Sequence, residues 1–267
     1  MHVLSVSYAE TLSGLSRHYH DCHQILYIRS GTIRATVGGE TCLVSDGGLL
    51  ILSRFETHAI EVLSTDYCRY ALRISSAASQ GVQENDLLAS VLVNRAEDFR
   101  HAVDTAEARP AFDALFADLT AEYTAQGALC AEMLDLGLRR LLILLYRCAP
   151  ELFLRESGQN TVVVQAIQRR FEANYAAEHS LADLAAEYHL SPSHLSHIFK
   201  RITGYAPMEY LTACRLSAAK SLLTTTNTPV KEIVFRCGFS DESNFCRMFK
   251  ARTGLTPRAF RKQYQPM

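Results

Sequence analysis

Two stretches of short polar and basic side chains carry the chemistry that stands out in this chain. One holds Ser193, Ser196, His197, Lys200 and Arg201; the other holds Glu242, Ser243, Asn244, Arg247 and Lys250, with Cys246 among them. Serine and asparagine hydrogen-bond base edges, glutamate accepts from cytosine, arginine grips guanine with two bonds, and lysine suits phosphate. A separate set lies near the amino terminus, where His18, His20 and His23 precede Gln24, and His58 follows later. Imidazoles there serve either as metal ligands or as hydrogen-bonding groups for a small molecule.

Both polar stretches fall on the outer faces of helices. Leu195, Ile198, Phe199 and Ile202 form an inward stripe on the first, and Phe245, Met248 and Phe249 on the second. Each helix ends in the same phrase, Phe199-Lys200-x-x-Thr203-Gly204-x-x-Pro207 and Phe249-Lys250-x-x-Thr253-Gly254-x-x-Pro257, fifty residues apart. A repeat of this kind marks a duplicated structural unit. Upstream, Leu181, Leu184 and Ala185 mark a short helix, His189-Leu190 a turn, Ser191 a cap and Pro192 a first helical position. In the second copy Val230, Ile233 and Val234 mark the short helix, Gly238-Phe239 the turn and Ser240 the cap, which puts one additional residue between that cap and Ser243.

Helix, tight turn, helix is the unit whose second helix can enter a major groove. Between the two copies one helix runs from Pro207 to about Leu223, where a Thr-Thr-Thr-Asn-Thr run ends it. Its 17 residues span about 26 Å. That spacer suits two reading helices set about one DNA turn, roughly 34 Å, apart.

The first part of the chain is patterned differently. Gln24–Arg29, Ile33–Val37, Cys42–Val44, Leu49–Leu52, Ala59–Leu63 and Tyr67–Ile74 read as strands, and Gly38-Gly39 as a two-residue hairpin turn. Strands at such short intervals predict a small antiparallel barrel or double-sheet roll. Two helices follow, over 110–126 with Gly127 as terminator, and over 128–148. The second carries Leu134, Leu138, Leu141, Leu142 and Leu145 on one face and Leu136, Ile143 and Leu144 nearly opposite. The second stripe needs a partner, either the preceding helix or the same helix of another subunit in a two-fold dimer. Glu156–Asn160, polar and containing a glycine, reads as the linker to the helical part.

The 267 residues are 48% hydrophobic and 21% charged, with mean hydropathy near zero. Those figures exclude a disordered, collagenous or coiled-coil chain and predict two folded domains. No apolar run approaches the roughly 20 residues of a membrane span, and the opening MHVLSVSYAETLSG lacks a secretory pattern, so the expectation is a cytoplasmic protein with no membrane partner. Eight scattered cysteines without a CxxC pair predict free thiols, mostly buried. The net charge of −1 hides an asymmetry: residues 1–159 hold 13 basic and 20 acidic groups, and residues 160–267 hold 14 and 8. A basic carboxyl-terminal part suits a polyanionic partner.

The tandem unit, together with the Pro207 helix and the segment GFSDESNFCRMFKARTGLTPRAFR, closely resembles the DNA-binding domain of the AraC/XylS family of bacterial transcription regulators. The segments RHYHDCHQILYIRSG and DGGLLILSRFETH resemble the two motifs of the cupin barrel. The resemblances imply an α+β multidomain chain. Residues 1–155 would be a cupin-like effector-binding and dimerisation domain with following helices, and 160–267 an all-α domain with two helix-turn-helix units. They imply base contacts from Ser193, Ser196 and His197 and from Glu242, Ser243 and Arg247. The implied partners are double-stranded DNA, a small-molecule effector, RNA polymerase acted on by an activator, and a second copy of the chain.

In metal-binding cupins an H-x-H pair, an acid and a later histidine converge on one ion. His18, His20 and His58 occupy the matching positions, but Gln24 takes the acid's place, and an amide is a weaker ligand. The expectation is therefore an effector site at His18, His20, Gln24 and His58 with no metal or other cofactor, in a protein that is not an enzyme. The rival readings are a metal-dependent cupin enzyme with an accessory DNA-binding tail, and a constitutive regulator whose barrel only dimerises.

Overall fold

The computed structural model describes residues 3–11, 15–75, 90–92, 99–153 and 159–265. It divides into two compact units, Met1–Ser157 and Gly158–Met267.

In the first unit the strands are β1 (Val3–Ala9), β2 (Leu15–His18), β3 (His23–Ser30), β4 (Ile33–Val37), β5 (Glu40–Val44), β6 (Gly48–Leu52), β7 (His58–Val62), β8 (Cys68–Ile74) and β9 (Ala102–Asp104). They pair antiparallel into two sheets, ordered β1-β8-β3-β6-β9 and β2-β7-β4-β5. Sequence reading misses β1, β2 and β9. In β1 only Val6 is buried, so its alternation carries little apolar contrast, and β2 and β9 are too short to show a period. Gly38 and Gly39 both take positive φ, and Val37 pairs with Glu40, closing a two-residue hairpin.

The central strands β3 and β6 are apolar on both sides because their sheet has a core on each face. Leu26, Ile28, Leu50 and Leu52 meet Ile33, Ala35 and Ile60 of the other sheet. Ile25, Tyr27, Leu49 and Ile51 meet Phe112, Phe116, Leu138 and Leu141 of two helices laid across the outside. These helices are α1 (Arg109–Ala125) and α2 (Cys130–Cys148). Gln126, rather than Gly127, takes the left-handed conformation that ends α1. The Leu134 stripe of α2 is buried, each leucine contributing about 1.5–3 kcal/mol of apolar burial. Leu144 joins the edge of that core. Leu136 and Ile143 stay 64% and 38% exposed, so α1 does not cover them.

The second unit is helical: α3 (Gln159–Ala173), α4 (Leu181–Glu187), α5 (Pro192–Thr203), α6 (Pro207–Thr225), α7 (Val230–Arg236), α8 (Glu242–Thr253) and α9 (Pro257–Tyr264). Gln159 and Asn160 of the expected linker open α3, and its residues 156–158 lie outside the described residues. Helix α6 is longer than expected, at 19 residues. Thr224 and Thr225 still belong to it, and their hydroxyls donate to the carbonyls of Lys220 (3.1 Å) and Ser221 (2.8 Å).

Helix α6 serves two aromatic cores. In one, Phe199 packs against Phe171 and Tyr210 with ring centroids 6.3 and 5.7 Å away. In the other, Phe249 packs against Phe245 and Phe260 at 5.5 and 5.3 Å, over Leu216, Ala219 and Leu223 of α6. Among the described residues no helix is long and apolar enough to cross a membrane. All eight cysteines are free thiols, but only Cys22, Cys214 and Cys237 are buried, fewer than expected.

Candidate nucleic-acid interface and barrel site

The repeated phrase is a helix exit followed by a helix entrance. At the end of α5, Thr203 donates to the carbonyl of Phe199 (2.8 Å) and its hydroxyl accepts from the amide of Tyr205 (3.1 Å), while Gly204 takes φ +81. At the end of α8, Thr253 makes the same pair of bonds with Phe249 (2.8 Å) and Leu255 (3.2 Å), and Gly254 takes φ +76. Pro207 and Pro257 then begin the next helices, where a missing amide hydrogen costs nothing. Threonine, glycine and proline at these spacings fix the angle at which each reading helix leaves its unit.

The turns behave alike at one position and differ at the next. His189 and Gly238 both take positive φ, +55 and +80, which asparagine-like or imidazole side chains tolerate better than branched ones. Ser191 caps α5 as expected, accepting from the amide of His194 at 3.2 Å. Ser240 does not cap α8. Asp241 does, accepting from the amides of Ser243 (3.3 Å) and Asn244 (2.6 Å). The additional residue of the second copy is therefore Ser240, inside the turn, and caps, reading faces and exits keep one fifty-residue offset. A carboxylate at that cap also complements the positive end of the helix.

The two polar faces lie outward on their helices. Ser193, His197, Lys200 and Arg201 are exposed and Ser196 is half-buried, over buried Leu195, Ile198, Phe199 and Ile202. Glu242, Ser243, Asn244, Arg247 and Lys250 are exposed over buried Phe245 and Phe249, with Met248 only partly covered. Between Leu181 and the outer face of α5 lies an open hollow of about 540 Å³. Arg247 donates to the side-chain oxygen of Asn244 at 2.9 Å, which holds its guanidinium along the helix face.

Sequence reading has no signal for Arg215, in the middle of α6. It donates to the carbonyls of Tyr175 and Ala177, each at 2.8 Å, in the loop between α3 and α4. Its guanidinium also stands 5.9 Å from the ring of Phe239 in the second turn. Burial lowers its proton affinity, which the neighbouring Cys237 and Glu178 oppose. Burial pushes the Cys237 thiol up to about 11, so that thiol is a packing group.

In the first unit β2 and β7 place His18 directly opposite His58. The x in H-x-H returns His20 to the side of His18, by the alternation of an extended chain. Ring centroids stand 4.4 Å (His18–His58), 4.8 Å (His18–His20) and 5.3 Å (His20–His58) apart. The amide of Phe55 donates to the carbonyl of His20 (2.8 Å), and Arg54 pairs with Asp21 (2.6 Å), tying this loop to the one that leads into His58. Gln24 is buried on the inward side of β3, with Leu26 and Ile28. Burial, then the charges of His18 and His101, pushes the His58 imidazole down to about 3. His23 is also buried, but it accepts the amide hydrogen of Arg54 on Nδ1 (3.2 Å) as a structural group.

A β-sheet roll with an inward polar set, joined to two helix-turn-helix units, defines a ligand-responsive DNA-binding regulator as the class of protein. Residues 6–142 match the model of the AraC-like ligand binding domain, and residues 184–263 match a helix-turn-helix domain model. The chain belongs to the AraC family of transcription regulators and is a DNA-binding, effector-binding regulator.

Its relatives include the transcriptional activator RhaS of Klebsiella pneumoniae, 26% identical over 263 residues, covering 94% of this chain and 88% of RhaS. The uncharacterized regulator YijO of Escherichia coli is 32% identical over 111 residues, 42% of this chain and 39% of YijO. The matched stretch thus spans well under half of YijO. The fold is shared with ToxT of Vibrio cholerae, solved with an unsaturated fatty acid bound, at a TM-score of 0.61 and 14% identity over 97% of this chain and 95% of that one.

Proposed function

We propose that the second unit reads two successive major-groove segments of one operator, with Ser193, Ser196, His197 and Arg201 facing one segment and Glu242, Ser243, Asn244 and Arg247 facing the other. Lys200 and Lys250 hold flanking phosphates. The observation that carries this is the shared register of α5 and α8 on α6: identical exits and equivalent caps offer two exposed polar faces at one fifty-residue offset. Helix α6, about 28 Å long at 1.5 Å per residue, is a spacer on the scale of one DNA turn. The excess of 14 basic over 8 acidic residues in 160–267 supports backbone attraction.

In this reading the first unit binds a small-molecule effector at His18, His20, Gln24 and His58 and dimerises through the uncovered face of α2. The dimer works in the cytoplasm and engages RNA polymerase as an activator. An effector shifts DNA binding only through unequal affinity for two arrangements of the dimer. The test is a footprint of the full chain on genomic fragments at several salt concentrations. Sequence-preferring protection over about two turns, weakening with salt, is expected; equal affinity for all duplexes would overturn the reading.

A further inference from the structure

The imidazoles of His18, His20 and His58 are disposed as ligands. His58 Nδ1 lies 2.8 Å from the carbonyl oxygen of Glu56. A carbonyl only accepts, so Nδ1 carries the hydrogen and Nε2 presents a bare lone pair. That Nε2 is buried and has no hydrogen-bond partner. Leaving such an acceptor unsatisfied costs about 1–3 kcal/mol. A backbone carbonyl fixing the outer nitrogen is also how ligating histidines are oriented toward an ion.

His18 Nε2 and His20 Nε2 stand 3.3 Å apart, so one proton lies between two nitrogens. One ring nitrogen from each of His18, His20 and His58 falls within 4.8 Å of the others. Nitrogens on a tetrahedral ion stand about 3.4 Å apart, given metal–nitrogen bonds near 2.0–2.1 Å. The first pair already meets that spacing, and a movement of about 1.5 Å would close the widest. A second buried acceptor without a partner, Gln24 Oε1, belongs to the same end of the roll: Gln24 pairs with Leu52, the residue that leads into the loop before His58.

We propose that His18, His20 and His58 bind one divalent transition-metal ion with a preference for imidazole nitrogen, as zinc has, leaving a coordination position open toward the interior. This departs from the sequence expectation, in which Gln24 in the acid's place argues against a metal. The amide instead changes what the ion attracts. Three neutral imidazoles and an amide bring no negative charge to the ion, so the open position favours an anionic oxygen donor such as a carboxylate or enolate. The site rests on geometry alone. That its anionic ligand is the effector rests on the regulator reading above.

The test titrates metal-free full-length protein with Zn²⁺ and Co²⁺. One ion per chain is expected, with a melting temperature that rises with ion concentration. Bound Co²⁺ should show visible ligand-field bands without a thiolate charge-transfer band, since eight free cysteines could otherwise capture it. His18→Ala and His20→Ala, both on partly exposed residues, should each weaken binding more than about 100-fold, beyond the loss of an outer-shell partner. Their metal-free melting temperatures should stay near that of the parent, which separates ligand loss from unfolding. No ion bound, a thiolate signature, or affinity unchanged in both variants would overturn the site. Loss of sequence preference on DNA in a protein that still takes one ion would break the regulator reading and leave the site standing.

Discussion

A Cβ placed on Gly238 would fall 2.6 Å from the carbonyl oxygen of Ala176, so the turn of the second helix-turn-helix unit lies directly against the α3–α4 loop of the first. With Arg215 holding the carbonyls on either side of Ala176 within that loop, the two helix-turn-helix units are joined by contact as well as by α6. Gly238→Ala meets both a positive φ and this backbone wall. A left-handed alanine alone costs about 1–2 kcal/mol. The variant should lose at least that much stability in urea unfolding and bind a two-segment operator more weakly. Unchanged stability would mean the contact is slack.

The exposed groups of α8 should divide by role. Arg247→Ala should cost about 1–3 kcal/mol on the best site and relax preference at one base pair. Lys250→Ala should weaken binding to all sequences alike and reduce the salt slope by about one. Quantitative gel shifts on a mismatch series distinguish the two, and equal loss of specificity in both would contradict the assignment.

Met133, Leu136 and Ile143 are exposed large apolar groups of α2, with Leu136 and Ile143 on the face opposite its buried leucines. Charging both, as Leu136→Glu with Ile143→Glu, should shift sedimentation from dimer to monomer. The melting temperature of the first unit should change little, because surface substitutions away from packed contacts cost about 0.5 kcal/mol or less. An unaltered sedimentation coefficient would rule this face out as the dimer contact.

Acid should destabilise the first unit through His23 as well as His58, whose imidazole is held equally low. Burial, with Arg54 adding to it, holds the His23 imidazole down to about 3, against about 6.5 in an unfolded chain. Between those values the unfolded state binds a proton that the folded state refuses. Stability therefore falls as pH falls through the window, by a few kcal/mol on the order of the full shift. Urea midpoints should drop steadily from about pH 7 to about pH 4, and less steeply in His23→Leu. Parallel slopes for parent and variant would assign the loss to other groups.

The second unit was legible because its signals are local. Thr203-Gly204 and Thr253-Gly254 do their work within five residues, so the repeat that announces them also contains their hydrogen bonds. The Asp241 cap was legible too, in the fifty-residue offset itself, but aligning the turns instead of the exits points to Ser240. Arg215 was not legible, since its partners are carbonyls some forty residues away and no side-chain pattern records them. In the first unit β3, β4 and β6 announce themselves by burial, whereas β1 and β2 gain their place from pairing with β8 and β7. The nearness of His18, His20 and His58 follows from that pairing, and residues forty apart in sequence show it only once the ladder is formed.

From cap to exit, α5 and α8 keep the same count, and the surplus Ser240 is absorbed before either begins. The two helices are thus interchangeable cassettes. Ser193 and Lys200 already match Ser243 and Lys250, and His194 and His197 stand where Asn244 and Arg247 stand. Two replacements, His194→Asn and His197→Arg, would bring the first cassette nearer the second, with Pro192 against Glu242 and Arg201 against Ala251 still unlike, and the two halves of the operator would draw toward a direct repeat.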